Sequence, residues 1–462
     1  MERVQLENPK SGSELLLDTL LDLDIDTIFG YPGGAVLPLY DTIYQYEGIN
    51  HILARHEQGA IHEAEGYAKS TGQIGVTLVT SGPGATNAIT GIADAMADSV
   101  PLLVITGQVA RPGIGKDAFQ EADIIGATMP ITKYNYQVRD TADIPRIVTE
   151  AIHIATTGRK GPVVVDLPKD VAASETDFYY ETAVNIPSYQ PTVSPNGLQV
   201  KKILQFLKKA KRPLILAGGG VNYADANEAL KIFAETYQIP VVSTLLGLGA
   251  IPVNHDLSLG MGGMHGSYAS NMALTEADYI INFGARFDDR LTGNVNTFAK
   301  HATVAHVDID PAEIGKVVST QIPVVGDVRN ALDLLNGFDK VETDFSDWTQ
   351  KVLANKARAP FGYDKDDEVI KPQEVIEIIG QLTDGDAIIV TDVGQHQMWA
   401  AQFYPYKHAR QLITSGGMGT MGFGIPAAIG AKIANPDKEV ILFVGDGGFQ
   451  MTNQELAILN GY

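Results

Sequence analysis

Residues 75–108, GVTLVTSGPGATNAITGIADAMADSVPLLVITGQ, limit what this chain can fold into. A continuous apolar, β-branched run ends in a glycine loop. A helix-like stretch follows, and then a second apolar run. Strands with one wet face alternate in polarity, and these runs do not. They suit strands buried on both faces, hence parallel sheets layered with helices. The same unit recurs along the chain. LVTSGPGATNAITGI (78–92) and LFVGDGGFQMTNQEL (442–456) rhyme as apolar strand, glycine loop and helix with a Thr-Asn near its start, which suggests two similar domains around a different middle one.

The expected fold class is therefore α/β, with three doubly wound parallel-sheet domains. The length of 462 residues agrees with roughly three domains of about 150 residues. Two polar, proline-containing stretches read as linkers, SETDFYYETAVNIPSYQPTVSPNG (174–197) and ETDFSDWTQKVLANKARAPFGYDKDDEV (342–369). They divide the chain into 1–180, 195–340 and 368–462, the last short for a domain.

A formal net charge of −21 argues against nucleic acid and anionic membrane as partners. With no cysteine, disulfides, thiolate nucleophiles and cysteine metal sites are excluded. That suits the cytoplasm. The start, MERVQLENPKSGSELLLD, lacks the basic and apolar regions of a signal peptide. The apolar runs fall short of the roughly 20 residues needed to span a bilayer. The expectation is a cytoplasmic protein.

The glycine loops carry the chemistry. Around Asp446, in GDGG, backbone N–H groups can converge on an anion while the carboxylate offers Mg²⁺ a hard oxygen. By itself GDG reads more readily as a tight turn in which Asp caps a helix. TDVGQHQMWAAQ (391–402) and SGGMGTMGFGIPAAIG (415–430) add two more loops of the same kind. Three such loops at strand ends are what a nucleotide-like cofactor requires of an open α/β sheet.

Taken with HEQGAIHEAEGYA, TSGPGATN, GYPGGAVLPLYD and GARFDDR, the loop GDGGFQMTNQEL identifies a resemblance. From about residue 11 to its last residue the chain resembles the catalytic (large) subunits of acetohydroxyacid synthase, also called acetolactate synthase, which use thiamine diphosphate (ThDP). The resemblance implies a transferase that decarboxylates pyruvate on ThDP and joins the remaining two carbons to a second 2-keto acid, pyruvate or 2-ketobutyrate. That is the first common step of branched-chain amino acid biosynthesis. ThDP, Mg²⁺ and FAD are the implied cofactors. A homodimer or tetramer, with Glu57 of one chain meeting the GDG domain of its partner, and a small regulatory subunit are the implied partners.

Site residues follow from the same motifs. Glu57 is the carboxylate expected on the ThDP pyrimidine, although on its own it reads equally as a first-turn helix acid. Gly33 and Gly34 offer backbone N–H groups to the reacting centre, and Gln120, Phe119 and Lys169 line the substrate channel. For Lys169 an exposed loop lysine is as good a reading. Arg290 is the candidate for the acceptor carboxylate. ThDP and its metal fall to Val393, Gly394, Gln395, His396, Gly419, Met421, Gly445, Asp446, Gly447 and Gly448, with Asp446 the metal ligand. His56, Glu63 and Glu65 read as structural or solvated, and His62 has no metal-ligand partner at useful spacing.

In the middle segment, RPLILAGGGVNYADANEALKIFAETYQIPVVST (212–244) is strand, triple glycine, helix and strand, but departs from G-x-G-x-x-G. Acidic residues at later strand ends suit ribityl hydroxyls, and each reads equally as a helix cap. The resemblance assigns FAD to Arg159, Gly218, Gly219, Gly220, Thr244, His265, Gly266, Gly284, Arg286, Asp308, Asp310 and Asp327. In the family the metal loop runs on to an Asn-Asn strand end that supplies a second Mg²⁺ ligand, and that segment is not in these 462 residues. The expectation is an incomplete third domain with an exposed apolar strand edge, weak binding of ThDP and Mg²⁺, and little turnover. The alternatives are a non-catalytic pseudo-subunit retaining FAD, or a related ThDP 2-keto acid decarboxylase or oxidase.

Overall fold

The buried apolar runs of residues 27–168 pair as a parallel sheet. In chain order the first strands are β1 (Arg3–Ser11), β2 (Thr27–Tyr31), β3 (Asn50–Leu53), β4 (Gly75–Val79), β5 (Leu102–Gln108), β6 (Tyr134–Gln137), β7 (Pro162–Pro168) and β8 (Glu175–Tyr180). Six of them form the sheet β3-β2-β4-β5-β7-β6, every pair parallel. β4, β5 and β7 are buried at every position, as continuous apolar runs require. The chain leaves β2 toward one edge and resumes at β4 toward the other. The loops after β2 and β4 therefore diverge and open a crevice at their carboxyl ends.

The computed structural model describes residues 2–366 and 368–462. Contacts divide them into two compact units, Met1–Gln190 with Ser415–Tyr462, and Pro191–Thr414. The segment expected as a third domain, 368–462, is thus shared between them. Within the first unit β1 and β8 form a separate antiparallel pair. The expected linker 174–197 accordingly begins as a strand. Phe178 explains it, since the Arg3 guanidinium sits 4.4 Å from its ring centroid.

The second unit holds β9 (Pro213–Ala217), β10 (Val241–Ser243), β11 (Ser258–Met261), β12 (Tyr279–Phe283), β13 (Thr303–Asp308) and β14 (Ile322–Val325). They are parallel in the order β11-β10-β9-β12-β13-β14. This is the dinucleotide-binding order, three strands stepping outward on each side of a switch point between β9 and β12. The second expected linker is also partly structured. Ser346–Arg358 is a helix, because Trp348 and Val352, four residues apart, bury one face. Trp348 Nε1 donates to the Pro213 carbonyl at 2.8 Å. Asp367, within that stretch, lies outside the described residues. β15 (Ile388–Thr391) and β16 (Leu412–Ile413) pair in parallel.

Residues 415–462 return to the first unit with a helix (Gly424–Ala434), strand β17 (Val440–Phe443), a seven-residue helix (Asp446–Thr452) and a 3₁₀ segment (Asn453–Asn460). β17 is half-buried along its length. The Gly424–Ala434 helix crosses the Glu57–Thr71 helix at glycines. A Cβ at Gly66 would collide with Ala427, and one at Gly430 with the Glu63 carbonyl. Among the described residues no helix is long and apolar enough to cross a membrane.

Candidate active site

Glu57 opens the Glu57–Thr71 helix immediately after His56, whose Nδ1 caps it by accepting the Gln58 N–H at 3.1 Å. The Glu57 side chain is buried, with 8% of the residue exposed. Its Oε2 accepts from Asn87 Nδ2 at 3.0 Å. Its Oε1 faces the 80–84 loop, 3.1 Å from where a Cβ on Gly84 would stand. No motif marks Asn87 as the partner of Glu57; the only signal is the Thr-Asn that follows the Gly-Pro-Gly turn.

The other expected catalytic residues gather on that loop. Gly33 packs so tightly on Thr80 that any Cβ would collide with its side chain. Thr80 Oγ1 accepts the Ala35 N–H at 3.3 Å. Gly34 has open space beside it. The Gln120 backbone lies against Gly82, with Gln120 itself at φ 60. Glu57, Gly33, Gly34 and Gln120 thus surround the β2/β4 switch point. Phe119, by contrast, is 87% exposed, and Lys169 is exposed at the start of the short Lys169–Ala173 helix.

Behind Glu57 its helix carries charge into the core. His62, Glu63, Glu65 and Lys69 are all buried, so Glu63 and Glu65 are not solvated. His62 Nδ1 meets Glu65 Oε2 at 2.6 Å, and burial, with Lys69 nearby, lowers its pKa to about 3. The imidazole is therefore neutral, a donor to Glu65 through Nδ1. Its Nε2 is left as acceptor for Gln58 Nε2, 3.3 Å away. The fold also gives His62 neighbours that spacing had denied it, since ligand atoms of His62, Glu65 and Asp94 lie within 4.8 Å of one another. The Lys69 ammonium acts on all three from close by, which opposes a further cation there. Lys69 Nζ pairs with Asp98 Oδ2 at 2.6 Å. Asp98 in turn accepts the N–H groups of Gly416 at 2.8 Å and Gly417 at 2.7 Å. Ser415 Oγ donates to Asp94 Oδ1 at 2.6 Å. These bonds hang the 415–420 loop on the Ile89–Asp98 helix, a role no motif announced.

That loop meets the GDG loop. A Cβ at Gly447 would stand 3.0 Å from Met421 Cε, and Thr452 Oγ1 donates to the Gly422 carbonyl at 2.9 Å. Asp446 is exposed, Gly448 is buried, and Met418, Met421 and Phe449 present apolar surface. Among the described residues no hydrogen bond joins Glu57 to Asp446.

In the second unit the expected flavin residues lie at the carboxyl ends of successive parallel strands, and only the Gly218–Gly220 and Gly284 loops meet at the β9/β12 switch point. Gly218 and Gly284 touch backbone to backbone, and Gly220 N–H donates to the Gly284 carbonyl at 3.1 Å. A Cβ at either position would collide with the backbone of the other loop. The Gly284–Arg286 turn leads to Asp288, which caps Asp289–Thr292, and to Arg290, whose side chain is 70% exposed beside Asp289 at 3.1 Å. The 263–266 loop packs there too, with Met264 N–H donating to the Arg290 carbonyl at 2.7 Å. His265 and Gly266 belong to that loop, and the His265 carbonyl accepts from Gln402 Nε2 at 2.9 Å. Thr244 N–H donates to the Ala217 carbonyl at 2.9 Å. Asp308 Oδ1 accepts the Asp310 N–H at 2.9 Å, and Asp310 accepts that of Ala312. Asp327 caps Val328–Gly337. Val393, Gly394, Gln395 and His396 follow β15, and His396 Nε2 is buried without a partner. Arg159 lies in the first unit, donating to Ser99 Oγ at 3.0 Å.

Three family models match the chain. They are the N-terminal TPP binding domain of thiamine pyrophosphate enzymes at residues 10–127, their central domain at 200–335 and their C-terminal TPP binding domain at 392–462. The chain is 64% identical over 462 residues to an acetolactate synthase large subunit of Lactococcus lactis, covering all of this chain and 80% of that protein. It is 50% identical to the acetolactate synthase large subunit of Corynebacterium glutamicum, over 96% of this chain and 72% of that one. It is 48% identical to the acetolactate synthase isozyme 3 large subunit of Escherichia coli, over 97% and 79%.

Proposed function

The chain belongs to the acetolactate synthase large subunits, ThDP-dependent enzymes of branched-chain amino acid synthesis, and on that premise we propose how its own residues divide the work. ThDP, when bound, supplies the electron sink through which one 2-keto acid loses CO₂ and passes its remaining carbons to a second. Glu57 is the group that holds and moves a proton at the pyrimidine ring. Asn87 fixes its Oε2 and leaves Oε1 toward the glycine loop, in a pocket dry enough for one carboxylate to matter. The Glu57–Asn87 bond at the switch point carries this reading. Gly33 and Gly34 offer N–H groups beside it, Gln120 approaches over Gly82, and Phe119 and Lys169 serve the substrate's path.

Gly419, Met421 and Gly445–Gly448 hold the diphosphate and thiazole side. Asp446 is exposed and free to ligate Mg²⁺. Val393–His396 add a further contact, for which the orphaned His396 Nε2 is the supporting observation. FAD suits the second unit, whose strand order turns outward on both sides of the β9/β12 switch point, with a glycine loop after each of those strands. Thr244, His265, Gly266, Arg286, Asp308, Asp310, Asp327 and Arg159 complete that set. Arg290 binds the acceptor carboxylate. We further propose a homodimer or tetramer in the cytoplasm with a small regulatory subunit, which the relatives' designation as large subunits supports.

The test is acetolactate formation from pyruvate with ThDP, Mg²⁺ and FAD present. Glu57→Gln should lower kcat by about 10²–10⁴ while the chain stays folded. A Glu57→Gln variant at the unsubstituted rate would overturn the reading.

A further inference from the structure

The Glu57–Thr71 helix buries a carboxyl group for which the reaction has no use. Glu63 is fully out of water, and so is Glu455 of the Asn453–Asn460 segment packed against it. Glu455 Oε2 accepts the backbone N–H of Arg55 at 2.8 Å, and the His56 N–H is directed to the same carboxylate. The Glu455 side chain fills the space over Gly59, where any Cβ would collide with Oε1. Glu455 thus grips the two residues that precede Glu57 and the one two places after it.

The oxygens left over do not balance. Glu63 Oε1, Glu63 Oε2 and Glu455 Oε1 are buried with no donor, and the two carboxyl groups share one helix face, since Glu455 stands over Gly59, four residues before Glu63. Two carboxylates offer acceptors only, so their contact is a hydrogen bond only when one oxygen carries a proton. Solvent is shut out where Gly430 presses on the Glu63 backbone. The charged groups facing the pair are each other and Arg55. Lys432 of the crossing helix is exposed and bonds the Pro436 and Lys438 carbonyls. Asp94 and Asp98, from the Ile89–Asp98 helix, face Glu65 and Lys69.

We propose that Glu63 and Glu455 share one proton, and that the protonated pair is the positioning device that sets the turn bearing Glu57. The second half rests on the reading of Glu57 given above. Burial, then the neighbouring carboxylate, holds Glu63 well above the ordinary glutamate range. Loss of the shared proton would set two like charges against each other and loosen Glu455 from Arg55 and His56.

The proton is tested on the full chain without cofactor. Unfolded glutamates release their protons above about pH 4.3, so this pair should raise the unfolding constant about tenfold per pH unit from about pH 5 upward for as long as it keeps the proton. Glu63→Gln donates an amide N–H to Glu455 without needing a proton, and its slope should be lower by one proton. Infrared spectra of the folded chain at about pH 6, above the ordinary glutamate range, should show one protonated carboxylic acid fewer in Glu63→Gln. Equal slopes and equal spectra would overturn the shared proton. For positioning, exchange of the thiazolium C2 proton of bound ThDP should slow at least tenfold in Glu455→Leu and recover in Glu455→Gln, which keeps the acceptor for Arg55. If Glu57→Gln slows exchange and Glu455→Leu does not, the positioning role is wrong. If Glu57→Gln itself leaves exchange unchanged, the fault lies in the assignment of Glu57.

Discussion

Along the Glu57–Thr71 helix His62, Glu63, Glu65 and Lys69 are nearly out of water, whereas in the 284–290 turn Asp288, Asp289 and Arg290 stand in it. Both stretches are rich in charge and both follow a parallel strand. In the first, the burial of each group makes it depend on a partner or a proton, so polar chemistry and fold are one system. In the second, solvent already satisfies the charges, and they can be lent to a ligand at little cost to the fold. Residues of the first kind should report on stability first, and residues of the second on binding first.

The largest expected effect tests the buried side. Asp98→Ala would remove the 2.6 Å carboxylate from buried Lys69 and strip the acceptor from Gly416 and Gly417. Breaking a buried pair on one side costs about 3–5 kcal/mol, to be read from urea unfolding midpoints at constant m-value. A loss below about 1 kcal/mol, the range of exposed pairs, would erase the distinction between the two regions.

A second test uses pH. Burial raises the Asp94 carboxyl to about 6, with Asp98 adding to the shift and Lys69 and Ser415 opposing it. A folded pKa above the unfolded value of about 3.9 means that the native state holds its proton longer. The associated stability is full below about pH 4 and is lost as pH rises through about 6. At about 1.36 kcal/mol per unit, the loss is on the order of 3 kcal/mol. Asp94→Asn, which carries no titrating proton, should flatten that window in unfolding curves taken from pH 4 to 7. An unchanged curve would mean that Asp94 is ionised in the fold.

These two tests touch what the sequence hid. The strand-end glycines and the parallel sheets are legible, because a strand, a turn and a helix start are written in neighbouring residues, whereas Gln120 sits in an unpatterned polar stretch and is marked only by the family resemblance. Strand β8 and the Ser346–Arg358 helix fall in stretches that read as linkers, since their polar faces mask short apolar stripes. The Asp94–Ser415 bond spans 321 residues, and no local pattern shows that a mid-helix aspartate will meet a distant loop. That Glu63 and Glu65 read as structural or solvated, with nothing to choose between the two, has a related reason. Their periodicity is that of any helix, and only the helix laid across Gly66 and Gly430 removes the water.

The smallest effect on stability probes the exposed side. Arg290 is 70% and Asp289 79% exposed, and their 3.1 Å contact joins adjacent residues. Such a pair contributes about 0–1 kcal/mol, and what the fold takes from Arg290 is its backbone carbonyl, which accepts from Met264 and survives substitution. Arg290→Ala should therefore leave unfolding within about 0.5 kcal/mol of the original. If the guanidinium holds the acceptor carboxylate as proposed, the same variant raises KM for the second 2-keto acid much more than it lowers kcat. Arg290→Lys recovers only part of that loss, because an ammonium cannot make the paired, planar contact. A variant that unfolds more easily while KM stays put would assign Arg290 to the fold, and the 284–290 turn would then belong with the buried helix.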